Sequence, residues 1–209
     1  MPTQPADIGL VVFDLGKVLV NFDYAIAARN LGPFARLSPD QILDLLLRTP
    51  LLLDYERGAL TTAEFYAALV QHTRLQSTFA DFATRFGDIF SPIKPMINLL
   101  DQVHAFGRPT AVLSNTNELA IQHIRANFPF YDRFAHHVLS FEHRSMKPDP
   151  ALYHVLEKIA GVPPGQILFL DDRSENVETA QNLGWHAFVH HDPESTRAHF
   201  AHLGLLQSR

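Results

Sequence analysis

The chain contains no cysteine. Disulfide staples and thiolate metal sites are therefore excluded. It has no excess of positive charge either. Seventeen lysines and arginines stand against 22 acids, a formal net charge of -5 with a pI near 6.1. The electrostatic footprint of a nucleic-acid binder is missing, although an anionic substrate is not excluded, because local charges decide that. No apolar run approaches the length needed to cross a bilayer. Met1 to Gly9 lacks the basic start and long apolar stretch of a secretion signal. These absences lead us to expect a cytoplasmic protein, a monomer or homodimer, that binds neither nucleic acid nor membrane.

What is present suits one core domain with a smaller insertion: 209 residues, 46% of them hydrophobic and 19% charged. Twelve histidines are notable. Five of them, His186, His190, His191, His199 and His202, crowd the C-terminal tail without forming a ligand pair, and we expect a solvated, pH-sensitive surface there. The run Leu10-Val11-Val12-Phe13 is short and apolar throughout, as in a strand buried on both faces. After Val20 the pattern turns helical. Ser38-Pro39-Asp40-Gln41 has the form of a capping box with proline at the first helical position, and Thr61 to Glu64 forms a second. A further helix is expected over 78–90, so that residues 21–91 read as all-helical.

From Lys94 onward helix and strand alternate. Apolar residues from Met96 to Phe106 repeat at helical spacing. Ala111-Val112-Leu113 reads as a strand, Glu118 to Asn127 as a helix, His137 to Phe141 as a strand, and Asp149-Pro150 as the start of a helix to Ala160. Ile167 to Leu170 is a further strand, Glu175 to Leu183 a helix, and Ala187 to Val189 a last strand. Alternation of this kind implies an α/β fold, a doubly wound parallel sheet with helices on both faces. The expected division is a core of residues 1–20 and 92–209 with a helical cap of residues 21–91.

In such sheets ligands bind beyond the carboxyl ends of the strands. Three strands here end in Asp14, in Ser114-Asn115 and in Asp171-Asp172, and Lys147 precedes a helix where it can join them. Clustered carboxylates repel unless a proton or cation intervenes. Mg²⁺ is the natural partner, being hard, oxygen-seeking and commonly shared with phosphate, and a lysine suits a phosphoryl group as a point charge. A carboxylate nucleophile, a divalent cation, a hydroxyl and an ammonium together make a phosphoryl-transfer site.

The order of these segments resembles the haloacid dehalogenase-like hydrolase superfamily over nearly the whole chain. Asp14-Leu15-Gly16-Lys17-Val18, Ser114-Asn115, Lys147-Pro148 and Asp171-Asp172 match its four motifs in sequence, and the helical stretch matches its first-position cap. Phe13-Asp14-Leu15-Gly16, Ser114-Asn115-Thr116-Asn117 and Glu56-Arg57-Gly58 are similar to its sugar-phosphate phosphatases of the alpha-D-glucose-1-phosphate phosphatase kind. The resemblance implies a Mg²⁺-dependent phosphomonoesterase acting on a small phosphorylated metabolite. Asp14 would attack phosphorus and become an aspartyl-phosphate. Asp14, the Gly16 carbonyl and Asp172 would hold Mg²⁺, with Asp171 as a further or indirect contact. Ser114 and the Asn115 backbone would bind phosphoryl oxygens, and Lys147 would neutralise charge.

One position departs from the pattern. The family's phosphatases carry a second aspartate two residues after the nucleophile, which protonates the leaving group and later activates water; here that position is Gly16. General acid–base catalysis is worth roughly 10² to 10⁴ in rate, so slower or substrate-restricted turnover is expected. A low-pKa leaving group, such as the anomeric oxygen of a sugar 1-phosphate, or a nearby group such as Asp23 or Lys17, would compensate. Two other readings stand beside this one: a 2-haloacid dehalogenase, and a phosphate-binding protein without turnover. Simpler roles also stand for single residues. Asn115 with Glu118 resembles a capping box and Asp172 with Glu175 another; Glu56-Arg57 is either a surface ion pair or a substrate contact, and Arg173, Asn176 and Asn117 either line the site or serve as helix caps and solvated surface. Leu51, Leu52 and Leu53 are expected to be core.

Overall fold

The computed structural model describes residues 7–206. Its centre is a five-stranded parallel sheet in the order β5-β4-β1-β6-β7. The strands are β1 (Leu10–Phe13), β4 (Thr110–Ser114), β5 (His136–Leu139), β6 (Ile167–Asp171) and β7 (His186–Val189). Side chains alternate between two cores. Val11 and Phe13 of β1 join Val112, Leu168 and Leu170 on one face; Leu10 and Val12 join Ala111, Leu113 and Phe169 on the other. Every residue of β1, β4 and β6 is buried, which is why they carry unbroken apolar runs, 10–13, 111–113 and 167–170, rather than alternating. Helices α6 (Lys94–Ala105), α7 (Glu118–Asn127), α9 (Pro150–Ala160), α10 (Ser174–Asn182) and α11 (Pro193–His202) link and flank them. The doubly wound α/β architecture expected from the alternation is thus the one observed.

The segment between β1 and β4 leaves the sheet through a narrow antiparallel ribbon, β2 (Val20–Phe22) paired with β3 (Phe90–Pro92). The all-helical expectation for 21–91 is corrected at both ends by this ribbon; three-residue strands are too short to show a period. Between them lie α1 (Tyr24–Leu31), α2 (Pro39–Arg48), α3 (Pro50–Glu56), α4 (Thr62–Thr73) and α5 (Phe79–Gly87). Both expected capping boxes form. Ser38 and Gln41 bond reciprocally at the start of α2, as do Thr61 and Glu64 at the start of α4. These helices enclose a core of their own in which Tyr55 stacks on Phe65 at 4.4 Å and Phe65 meets Phe86 at 5.1 Å. Leu52 is buried there, but Leu53 is 44% exposed, because neighbours on one turn of a helix cannot share a face.

The helical segment is tied back onto the sheet by its third helix. Gly58, at φ +74°, lies so close to the backbone that a Cβ there would stand 2.1 Å from the carbonyl oxygen of Phe141. Only glycine tolerates both the left-handed backbone and the approach. Phe141 belongs to α8 (Ser140–His143), a short helical turn directly after β5. The expected strand over 137–141 therefore ends two residues early. Tyr55 Oη accepts from Leu119 N at 3.2 Å and bonds Thr62 Oγ1 at 2.9 Å, and Thr62 in turn donates to Glu118. The tail is less solvated than expected at one point. His190 is 7% exposed and bonds Thr196 at 2.7 Å, whereas His186, His191, His199 and His202 are exposed. Among the described residues no helix is long and apolar enough to cross a membrane.

Candidate active site

The three strands β4, β1 and β6 are neighbours at the middle of the sheet. Their carboxyl ends deliver Ser114, Asp14 and Asp171 side by side at one edge. The ladder runs right up to them: Asp14 N donates to Leu170 O at 3.0 Å. The carboxylates of Asp14, Asp171 and Asp172 come within 4.8 Å of one another. All four segments singled out in the sequence meet here.

Lys147 sits among the acids and is 4% exposed. Its ammonium donates to Asp14 Oδ1 at 2.8 Å, to Asp171 Oδ2 at 2.5 Å and to the Leu113 carbonyl at 2.8 Å, which uses all three of its donors. Burial pulls this ammonium down, but the two carboxylates outweigh it and hold its pKa above the usual lysine value. Asn115 fixes the lysine's backbone. Its side chain donates to Lys147 O at 2.8 Å and accepts from Lys147 N at 2.7 Å. That side chain is therefore held to the loop. The Ser114 hydroxyl is nearly free, its one contact a long 3.4 Å bond to Asn115 O.

The two acids of the Asp171-Asp172 pair differ. Asp171 is fully buried, and its Oδ1 accepts from Arg173 N and from Asn176 Nδ2, both at 2.9 Å. With Lys147 on Oδ2, both its oxygens have partners. Asn176, first read as a cap or solvated surface, is 2% exposed and orients Asp171 instead. Asp172 stands at the mouth, partly exposed, its carboxyl raised by burial and by Asp171. Burial likewise pushes the Asp14 carboxyl up to about 7; Lys147 opposes the rise and Asp171 adds to it. Asp14 and Asp172 thus keep oxygens for a cation.

Gly16 borders a cavity of about 30 Å³ beside this cluster, shared with Ser114, Asn115, Phe22, Tyr24 and Glu56. A Cβ at Gly16 would fall 2.7 Å from the Phe22 ring, which is itself packed on Tyr24 and Phe90. The ring occupies the space that a side chain at 16 would need. Gly16→Asp is accordingly expected to lower stability by about 1–3 kcal/mol, as overpacking does. Calorimetric melting checks this, and an unchanged melting temperature would show that Phe22 swings aside freely.

Neither residue first considered as a proton source faces this cavity. Asp23 is exposed and caps α1 by accepting from Ala25 N at 2.8 Å. Lys17 is exposed, donates to Phe22 O at 2.9 Å and lies over the Phe22 ring. Glu56, by contrast, is no surface ion pair. It accepts from Tyr24 Oη at 2.6 Å, and burial pushes its carboxyl up to about 7, with the Tyr24 bond pulling back. Arg57 beside it is exposed. The cap of α7 is Asn117, which accepts from Ala120 N at 3.0 Å and donates to Tyr24 Oη at 3.3 Å; the expected Asn115–Glu118 box does not form.

The family model described as haloacid dehalogenase-like hydrolase matches residues 8–184. A D-ribitol-5-phosphate phosphatase from Bacteroides thetaiotaomicron is 25% identical over 186 residues, which is 85% of this chain and 89% of that enzyme. A crystal structure of a wild-type enzyme of the same family from Bacteroides thetaiotaomicron, in complex with magnesium and inorganic phosphate, superposes with a TM-score of 0.76 at 25% identity, covering 87% of this chain and 93% of that one. L-2-haloacid dehalogenase from Xanthobacter autotrophicus shares the fold, with a TM-score of 0.62 at 22% identity over 86% of this chain and 76% of its own.

Proposed function

The chain belongs to the haloacid dehalogenase-like hydrolases, and from that membership we propose that it hydrolyses small phosphate monoesters, of the sugar or sugar-alcohol class, with Mg²⁺ and an aspartyl-phosphate. One observation carries the reading: three carboxylates converge within 4.8 Å around a buried lysine that bonds two of them. Lys147 alone does not balance three acids, and the hard oxygen donors present fit Mg²⁺. Asp14, Asp172 and the Gly16 carbonyl would hold the ion, with Asp171 behind them. When bound, Mg²⁺ would supply positive charge to the transferring phosphoryl group.

The chain's own residues do the rest. The ionised Asp14 carboxylate attacks phosphorus; Lys147 both favours that ionised form and neutralises charge at the phosphate. The Ser114 hydroxyl and the Asn115 amide present hydrogen-bond donors to the phosphoryl oxygens, an arrangement that stabilises charge without reorganising. The ribitol-phosphate phosphatase relative supports a phosphorylated polyol or sugar as substrate. The dehalogenase reading leaves Asp172 without a task, since attack on carbon needs no cation. A panel of sugar, polyol and nucleotide phosphates with p-nitrophenyl phosphate, each run with Mg²⁺ and with chelator, tests the proposal. Hydrolysis that disappears with chelator is the expected result. Release of halide from 2-haloacids without metal, or tight binding of phosphate analogues with no turnover of any ester, would overturn it.

A further inference from the structure

Gly16 leaves the reaction without an acid at the position where the family's phosphatases carry one. Resting on the phosphatase reading above, we infer that Glu56, delivered by the helical segment and held by Tyr24, is the catalytic acid–base that protonates the leaving group and then activates water. Glu56 lines the same cavity as Gly16, Ser114 and Asn115, which brings the residue beside the phosphoryl site. It has no salt-bridge partner among the described residues, in contrast to the acids of the metal cluster. Tyr24 donates to Glu56 Oε1, which leaves Oε2 to carry the proton. Tyr24 in turn accepts from Asn117, on the segment that follows Ser114. The main chain of Glu56 is tied to that segment too. Ser140 Oγ, which accepts from Thr116 N at 2.9 Å, lies 2.6 Å from Glu56 O. The carboxyl raised towards neutrality is of the kind that can both give and take a proton at working pH.

The steps balance. An Asp14 oxygen forms a bond to phosphorus as the bond from phosphorus to the alcohol oxygen breaks, and the Glu56 proton passes to that oxygen, releasing the alcohol. The Glu56 carboxylate then takes a proton from water as the water oxygen attacks phosphorus. The bond to Asp14 breaks, phosphate leaves, and Glu56 is protonated again. An acid in the cavity also removes the need for an anomeric leaving group: ordinary alcohols come within reach.

Glu56→Gln tests this, because the amide keeps an oxygen for Tyr24 but cannot supply the proton. Rapid quench is run with two probes on the full chain: the best primary alkyl phosphate of the panel, whose leaving group needs a proton, and p-nitrophenyl phosphate, whose leaving group does not. In the variant the first release of alcohol is expected to slow by roughly 10² to 10⁴. The burst of nitrophenolate is expected to survive, with phosphoenzyme accumulating because water is no longer activated. Tyr24→Phe, which loosens Glu56 without removing it, is expected to give a smaller loss of the same pattern. Equal slowing of both bursts, no slowing of either, or a wild type that turns over only the nitrophenyl ester would overturn the role of Glu56 while leaving the phosphatase reading intact. A wild type without any turnover would overturn that reading and this inference together.

Discussion

Asp14→Asn is expected to abolish hydrolysis of every phosphate ester while leaving the chain folded. The amide has the shape of the carboxylate but no anionic oxygen to attack phosphorus. Removing the nucleophile of a covalent mechanism costs roughly 10⁴-fold or more, because the remaining groups act through it. The variant is also expected to form no phosphoenzyme, which intact mass after quenching reads directly. Its stability separates chemistry from collapse. In the folded wild type burial raises the Asp14 carboxyl to about 7, above its value in the unfolded chain. The folded state then binds the proton more tightly, so the stability this group contributes is present at acid pH and is lost as the pH rises through about 7. A neutral amide escapes that loss. In metal-free buffer at pH 8 Asp14→Asn is therefore expected to melt no lower than the wild type. Retained turnover in pure variant would sink the covalent mechanism, and a collapsed variant would show that Asp14 is structural first.

Most of what surrounds Asp14 is visible in the sequence because its signals are local. A strand buried on both faces carries an unbroken apolar run, so β1, β4 and β6 announce themselves, and a polar residue ending such a run lies at the sheet edge. Capping boxes are equally local, four residues each. The likeness to a family supplied what spacing alone did not, the weight given to Lys147. Glu56 shows where local signals end. Glu56-Arg57-Gly58 closes an amphipathic helix, and nothing within a few residues distinguishes a solvated glutamate from a buried one. Its placement rests on a bond to Tyr24, 32 positions earlier, and on the Ser140 bond to its main-chain carbonyl, 84 positions later. The Gly58 that follows was the one legible trace: a glycine just past a helix end, required here because the Phe141 backbone comes so close. Phe22 is similar, since its ring fills the space beside Gly16 only after the β2–β3 ribbon has formed.

Lys147→Met should be the variant most damaging to stability. The substitution keeps the length and apolar stem of the side chain, so it leaves little cavity, but it removes the one cation between two buried acids. Breaking a buried ion pair from one side costs roughly 3–5 kcal/mol because the remaining charge is stranded. Here both Asp14 and Asp171 lose a partner, and the Leu113 carbonyl loses a donor. For a chain of this size each kcal/mol moves the melting temperature by about 2–4 °C, so a drop of roughly 6–20 °C is expected in metal-free buffer at pH 8. The sign of the pH dependence is fixed as well. Lys147 opposes the rise of the Asp14 carboxyl; without it that carboxyl climbs further above its unfolded value. Protonation relieves the stranded charge, so the deficit shrinks towards pH 5 and grows as the pH rises through and beyond 7. Thermal melts of wild type and variant at pH 5.5 and 8 measure it. A deficit larger in acid, or none at either pH, would mean that the acids find another cation or water, and that Lys147 is not what lets three carboxylates stand together at the end of this sheet.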